Sequence, residues 1–205
     1  MASDALSVGE VLRMYDVAIV GGGPAGASAA TFTARAGLQT VLIDADAGMT
    51  RRAMVNNHLG FPEGMPGPDM VETGKAQAAR AGAEVVHAKV VDLQRQGENG
   101  FLVRTEDGNN YEAKQVILTL GASPELAKQA GINTREGTEP RIKEIIDVDA
   151  QGRTSMPGVW AAGTTAGVSV HTIITAGDGA RVAINLISDT KGERHVDHDM
   201  MPRTA

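Results

Sequence analysis

The sequence predicts a Rossmann-like α/β domain: a parallel sheet flanked by helices, with a three-stranded β-meander placed after the first crossover. Three observations predict it. An apolar run, Val17-Ala18-Ile19-Val20, enters Gly21-Gly22-Gly23-Pro24-Ala25-Gly26 and then an alanine-rich stretch. A second apolar run, Thr40-Val41-Leu42-Ile43, closes on Asp44. Further on, the turns Gly97-Glu98-Asn99-Gly100 and Asp107-Gly108-Asn109-Asn110 separate short β-prone pieces.

Each element follows from its residues. The first apolar run reads as a buried parallel strand, and the glycines let the backbone turn sharply and approach a pyrophosphate. Residues 25–36 read as the crossover helix, with Gly37 placed to end it. Asp44 falls 18 positions after Gly26, near the spacing at which a ribose-binding acid is expected. Residues 47–68 hold three prolines and four glycines and read as a long ordered loop. Residues 69–82 carry a helix pattern, with Asp69 as its cap. Strand-like pieces follow at 84–93, 101–105 and 111–113, the last leading towards 116–120. A short helix with loops is expected over 121–141, strands at 145–148 and 158–162, and a helix over 172–188 interrupted near its start by Gly177-Asp178-Gly179. These elements make one domain over 15–190, with an N-terminal extension over 1–14 and a tail over 191–205.

Composition narrows the function classes. A chain of 205 residues holds one substantial domain and buries about 70% of its unfolded surface, so two nucleotide-binding domains would not fit. The net charge of -6, with basic residues spread along the chain, offers nucleic acid no footprint. No apolar run approaches membrane-spanning length, and the first 14 residues lack both a basic start and an apolar core. A soluble cytoplasmic protein is therefore expected. With no cysteine, the chain supplies no disulfide, thiolate metal site or catalytic thiol.

Several separated stretches together resemble the FAD-binding domain of the thioredoxin reductase-like, pyridine nucleotide-disulfide oxidoreductase flavoproteins. Asn57 to Pro68 looks like the family's NYPGFPEGxxGP segment, Leu118-Thr119-Leu120-Gly121-Ala122 its ATGA turn, and Thr154 to Gly163 its TSxPGVFAAGD signature. Thr175-Ala176-Gly177-Asp178-Gly179-Ala180 looks like the helix start that aims amides at the flavin pyrimidine. The resemblance implies FAD as cofactor, with Gly21, Gly23, Pro24, Ala25 and Gly26 at the pyrophosphate and Asp44 at the adenosine ribose. It likewise implies Asn57 along the flavin, the Val90 backbone at the adenine, and Gly121, Gly163, Thr164, Thr175 and Ala176 about the cofactor. It also implies a homodimer.

The departures from the family pattern carry as much meaning. The family inserts its NAD(P)H domain, which holds the redox CxxC, between the ATGA turn and the TSxPGVFAAGD signature. Only about thirty residues, 123–153, join the two here, without a nucleotide fingerprint. Thr164 stands where the family has aspartate on the ribityl chain, so the hydrogen bond there lacks charge assistance.

Other residues keep two readings. His171, the candidate for a catalytic role, reads either as a proton donor beside the flavin or as a structural histidine in its loop. Asp178 reads as a helix N-cap or as a ligand of the flavin edge or of a water. Arg51-Arg52 meet an anionic substrate group or lie exposed. Trp160 reads as core. Tyr111 and Lys114 miss the YxxxK spacing of short-chain dehydrogenases. His195, Asp197, His198 and Asp199 read as a solvated tail, with no metal expected.

The function expected is a single-domain FAD-dependent oxidoreductase, with a flavin-binding electron-transfer subunit dependent on a partner chain as the alternative. Its electron donor would be a partner protein or a small molecule, including NAD(P)H docking transiently.

Overall fold

In the computed structural model, residues 14–97 and 100–201 are described. Of the expected N-terminal extension only Met14 lies among them, and it opens the first strand. Glu98 and Asn99 of the expected hairpin turn and residues 202–205 of the tail fall outside.

In chain order the strands and helices are β1 (Met14–Val20), α1 (Pro24–Arg35), β2 (Thr40–Asp44), β3 (Met54–Val55), β4 (Met65–Pro66), α2 (Gly67–Arg80) and β5 (Glu84–His87). There follow β6 (Val90–Gln96), β7 (Gly100–Thr105), β8 (Asn110–Leu118), α3 (Glu125–Gln129), β9 (Thr134–Glu136), β10 (Glu144–Ile146), β11 (Val159–Ala161) and α4 (Thr172–Lys191). The main sheet runs β5-β2-β1-β8-β7-β6, with β11 also on β8.

Strands β5, β2, β1, β8 and β11 are mutually parallel, while β6, β7 and β8 form the antiparallel meander. Strand β8 belongs to both. Its first residues pair with β7, Phe101 opposite Ala113, and its last three pair with β11, Val159 opposite Val116. The two neighbours meet end to end at Gly158, whose missing Cβ would stand 2.9 Å from the Phe101 ring.

Alternation along the strands explains the two cores. Val17, Ile19, Leu42, Ile117 and Trp160 point to a face covered by α1, α2 and α4. Ala18, Val20, Val41, Ile43, Val116 and Leu118 point to the other, where Leu93, Phe101 and Val103 of the meander cover them. With both faces buried, the strands read as continuous apolar runs. Helices α1, α2 and α4 thus share one face, and the meander takes the place of a second helical layer.

Three elements differ from expectation. The piece at 84–93 is two strands: β5 extends the parallel sheet, and after Ala88 and Lys89 the chain enters β6 of the meander. The loop at 47–68 contains a 3-10 turn, Met49–Arg52, and the β3–β4 ribbon, and α2 starts at Gly67 with Asp69 in its first turn instead of at its cap. Helix α4 runs unbroken through Gly177-Asp178-Gly179 to Lys191, because α1 crosses it where only a glycine admits the approach. A Cβ on Gly179 would lie 2.0 Å from the Ala25 carbonyl oxygen.

Beyond α4 the chain is pinned to the domain. Arg35 donates a fork to Asp197 at 2.8 Å and a bond to Asp199, and the His195 amide donates to Ser188.

Candidate dinucleotide site

The site begins where β1 ends. Gly21 has φ +104°, in the region that favours glycine, and its amide donates to the Ile43 carbonyl. Gly26 needs its missing side chain for another reason: a Cβ there would stand 1.8 Å from the Gly21 carbonyl oxygen. Thr119, just past β8, locks the turn from the other side by donating to the Val20 and Gly21 carbonyls at 2.9 and 2.7 Å. Gly23 is different. It has an ordinary φ of -67°, and a Cβ added to it would meet no atom within 4 Å. That open side lies at the start of α1, which has no side-chain cap and no acidic residue in its first turn. Uncapped N-terminal amides with nothing competing for them make an anion site.

Asp44, at the end of β2, stands directly over this turn. Its Oδ1 accepts the Gly22 amide at 2.9 Å, and a Cβ on Gly22 would lie 2.7 Å from its carboxyl carbon. Its Oδ2 pairs with Lys75 Nζ of α2 at 2.6 Å. Lys75 is 9% exposed and also binds Asp46. Arg51 pairs with Asp46 at 2.6 Å and with Glu72, and His87 Nδ1 lies 3.3 Å from Asp46. Arg51 is therefore committed to Asp46 of its own loop and Glu72 of α2.

Burial alone would raise the Asp46 carboxyl, but hydrogen bonds from Lys75 and Arg51 outweigh it and hold the group well below the usual carboxylate range. Burial likewise pulls Lys75 down, and its bonds to Asp44 and Asp46 raise it overall. The Asp46 contribution to stability is thus complete above its unfolded value of about 3.9 and is lost as pH falls through the lower folded value. The Lys75 contribution is complete below its unfolded value of about 10.4 and is lost as pH rises through its higher folded value. Urea midpoints of the chain are expected to fall below pH 4, and those of Asp46→Asn to fall less steeply. Parallel curves for the two proteins would show that Asp46 carries none of the acid sensitivity.

The second half of the site is the start of α4. His58, in the loop between β3 and β4, shares a 3.0 Å hydrogen bond with Thr172 and packs edge-on against Phe61, with ring centres 5.4 Å apart. A cavity of about 190 Å³ is lined by Gly23 and Pro24 of α1, Ala176 of α4, His58, Phe61 and Met70. It is chiefly a groove between α1 and α2, reaching Thr31 and Phe32 on one side and Gly74 and Gln77 on the other. Helix α4 also lacks a side-chain cap and acidic first-turn residues.

Gly163 sits between the two helices, its would-be Cβ 2.9 Å from the Ala25 Cβ and 3.9 Å from that of Thr175. Its amide donates to Asp178 Oδ2 at 2.7 Å, while Asp178 Oδ1 takes Arg181. Asp178 is therefore not an N-cap, and both its carboxylate oxygens have partners within the protein. It lies inside α4 and ties the helix to the 163–166 turn, a role that no local pattern encodes.

Among the other residues singled out by sequence, Thr164 and Thr175 are buried, and Thr175 Oγ1 donates to the Thr172 carbonyl. Val90 opens β6, two residues after Ala88, whose amide donates to the Asp44 carbonyl. Asn57 is exposed, and its neighbour His58 lines the cavity instead; Gly121 is exposed at the turn after β8. His171 is the N-cap residue of α4 and is exposed; its Nδ1 lies 2.8 Å from Ser169 Oγ, which donates to Glu139 at 3.1 Å. Trp160 is core, with its indole N–H on Gln115. Sequence reading misses Lys75 and His58. His58 lies inside the Asn57 to Pro68 segment that resembles the family, where the resemblance singles out Asn57 instead, and nothing hints at Lys75.

A glycine turn between parallel strands, an acid at the end of the second and a meander on the opposite face define a dinucleotide-binding flavoprotein domain. The profile described as FAD binding domain matches residues 14–58. The chain belongs to the pyridine nucleotide-disulphide oxidoreductase family, whose profile matches residues 65–180. It is 38% identical over 118 residues to a thioredoxin reductase of Peptoclostridium acidaminophilum, covering 56% of this chain and 37% of that protein. It is 40% identical over 111 residues to a thioredoxin reductase of Rickettsia felis, covering 52% and 35%. The chain thus spans little more than a third of these relatives. In fold it resembles a thioredoxin reductase from Gloeobacter violaceus, with a TM-score of 0.74 at 20% identity over 92% of this chain and 99% of that one. The thioredoxin reductase of T. acidophilum gives 0.70 at 20% identity, over 87% and 99%.

The cofactor is FAD, and the residues fit it. The open side of Gly23, two uncapped helix starts and the Thr165 hydroxyl, buried without a hydrogen-bond partner beside Thr164, are what such a cofactor would use. Of the two functional readings, the family favours the FAD-dependent oxidoreductase over the electron-transfer subunit.

Proposed function

We propose that this chain is a flavin-carrying redox unit of thioredoxin reductase type that receives its electrons from outside itself, through a partner protein or a small diffusible donor. One observation carries this reading. Between β8 and β11, residues 119–158 hold only the five-residue α3 and the β9–β10 ribbon, so no second nucleotide-binding unit stands there. The chain also contributes no thiol.

When bound, FAD supplies hydride and electron transfer at its flavin ring. The chain's residues do the rest. Gly21, Gly23, Pro24, Ala25 and Gly26 present the start of α1 to the pyrophosphate, and Asp44 takes the ribose. Val90, Gly121 and Asn57 border the cofactor, and Thr164 binds it as a neutral hydroxyl beside Gly163. The start of α4 at Thr175 and Ala176 favours negative charge that develops on reduction. His171 Nδ1–H donates to Ser169 Oγ, whose own proton is committed to Glu139, which leaves Nε2 as a hydrogen-bond acceptor.

Reconstitution with FAD is expected to give a yellow protein that anaerobic NADH or NADPH does not bleach rapidly. Fast, saturable bleaching by either would make a bound nicotinamide the donor and end the preference for a partner protein or another small donor.

The same reading expects a cytoplasmic homodimer. Leu59, Ile173 and Ile174 are exposed apolar side chains on segments that the His58–Thr172 bond holds side by side, which supports pairing there. Among the described residues no helix is long and apolar enough to cross a membrane.

A further inference from the structure

We propose that Lys75 is the positioning residue of the adenosine-ribose subsite: it clamps one oxygen of Asp44 while the Gly22 amide clamps the other, presenting a fixed carboxylate to the ribose hydroxyls. This rests on the FAD reading above.

The approach of α2 is built for it. Gly74, one residue before Lys75, passes Ala27 of α1 so closely that a Cβ on it would stand 3.0 Å from the Ala27 Cβ. That contact brings α2 over the start of α1 and lets the Lys75 side chain reach the end of β2. Both partners are nearly buried, Lys75 at 9% and Asp44 at 8% exposure. Burying an ammonium is costly unless its donors are matched, and replacing such an ion pair by apolar packing is commonly neutral or favourable for stability. A methionine of similar length would leave the Asp44 and Asp46 carboxylates without their cation, so the ammonium adds both the countercharge and the orientation of the Asp44 carboxylate.

The donor count agrees. A carboxylate offers about four lone-pair positions. The Gly22 amide takes one on Oδ1, and Lys75 takes one on Oδ2. At most two remain, on a carboxylate that also lies beside Asp46, and a ribose carries two adjacent hydroxyls. Asp46 holds Lys75 from the far side, and Arg51 and Glu72 hold Asp46 and Lys75 in turn, so the clamp cannot swing away without breaking several ion pairs.

The test compares ADP with 2′-deoxy-ADP by isothermal titration on the apo chain, as wild type and as Lys75→Met. The wild type is expected to prefer ADP by about tenfold or more, the value of a charge-assisted hydrogen bond, and the variant to prefer it by no more than about twofold. A variant that binds both nucleotides more weakly but keeps the full preference would show Lys75 to be merely structural and overturn the proposal. So would a wild type without preference that nevertheless binds FAD. A wild type that binds neither ADP nor FAD would instead overturn the FAD reading. Far-UV circular dichroism checks folding, and if Lys75→Met does not fold, Lys75→Ala, which likewise removes the donor and leaves room for water beside Asp44, must show the same loss of preference.

Discussion

Gly179→Ala is expected to destabilise the folded chain by about 3 kcal/mol, at the upper end of overpacking in a close-packed interior. Two effects oppose each other. Replacing glycine inside a helix by alanine gains about 1 kcal/mol from the unfolded state. The new methyl, however, would lie 2.0 Å from the Ala25 carbonyl oxygen and 2.7 Å from its carbon, and both belong to a helix backbone that cannot yield locally. Helices α1 and α4 would have to separate along the contact that also positions Gly163. The control is two residues away. Gly177 lies in the same helix, and a methyl added there would meet no atom within 4 Å, so Gly177→Ala should keep the helical gain of about 1 kcal/mol. Urea unfolding of the two variants gives opposite signs if packing against Ala25 decides. A Gly179→Ala protein as stable as wild type would show that the helices part easily.

Gly23→Ala is expected to do the reverse, leaving the fold intact while abolishing tight FAD binding. Its φ of -67° suits any residue, and the methyl would touch no protein atom. The gain from a stiffer unfolded chain, about 0.4–1 kcal/mol, is offset by the poorer N-cap that alanine makes, so stability should stay within about 0.5 kcal/mol. The methyl would instead occupy the open side of the α1 start. A pyrophosphate pushed off those amides loses charge-assisted hydrogen bonds of about 1.5–3 kcal/mol each, a loss of tenfold or more in affinity. Thermal melting of the apo protein together with FAD titration separates the two effects. An unchanged FAD affinity would place the pyrophosphate elsewhere than at the Gly21 to Gly26 turn.

How much of the fold and site is legible in the sequence differs from element to element. The β1–α1–β2 unit is legible with its turn and its acid because each part has a local cause: apolar runs for strands buried on both faces, and glycines where φ or close approach demands them. The piece at 84–93 reads as one strand since Val85, Val86, Val90 and Val91 are all β-prone. The break at Ala88 and Lys89 arises only because β5 pairs with β2 while β6 pairs with β7. In α4 the glycines suggest an interruption, the correct reading of propensity, yet packing against Ala25 overrides propensity. Asp178 follows the same rule: its partner Gly163 lies 15 residues away in sequence, beyond any capping pattern.

The sequence by itself determined that the chain carries one dinucleotide turn of flavoprotein kind, no second one between β8 and β11, and no thiol. These properties depend on residue types and spacings within a βαβ unit, which covalent geometry and periodicity translate directly. The tertiary structure alone decided which groups complete the site: Lys75 on Asp44, His58 on Thr172, Asp178 on Gly163 and Glu139 behind Ser169. Each of those partners is brought in by a different packed element, and a polar side chain's partner is set by where close packing puts it, not by its neighbours along the chain.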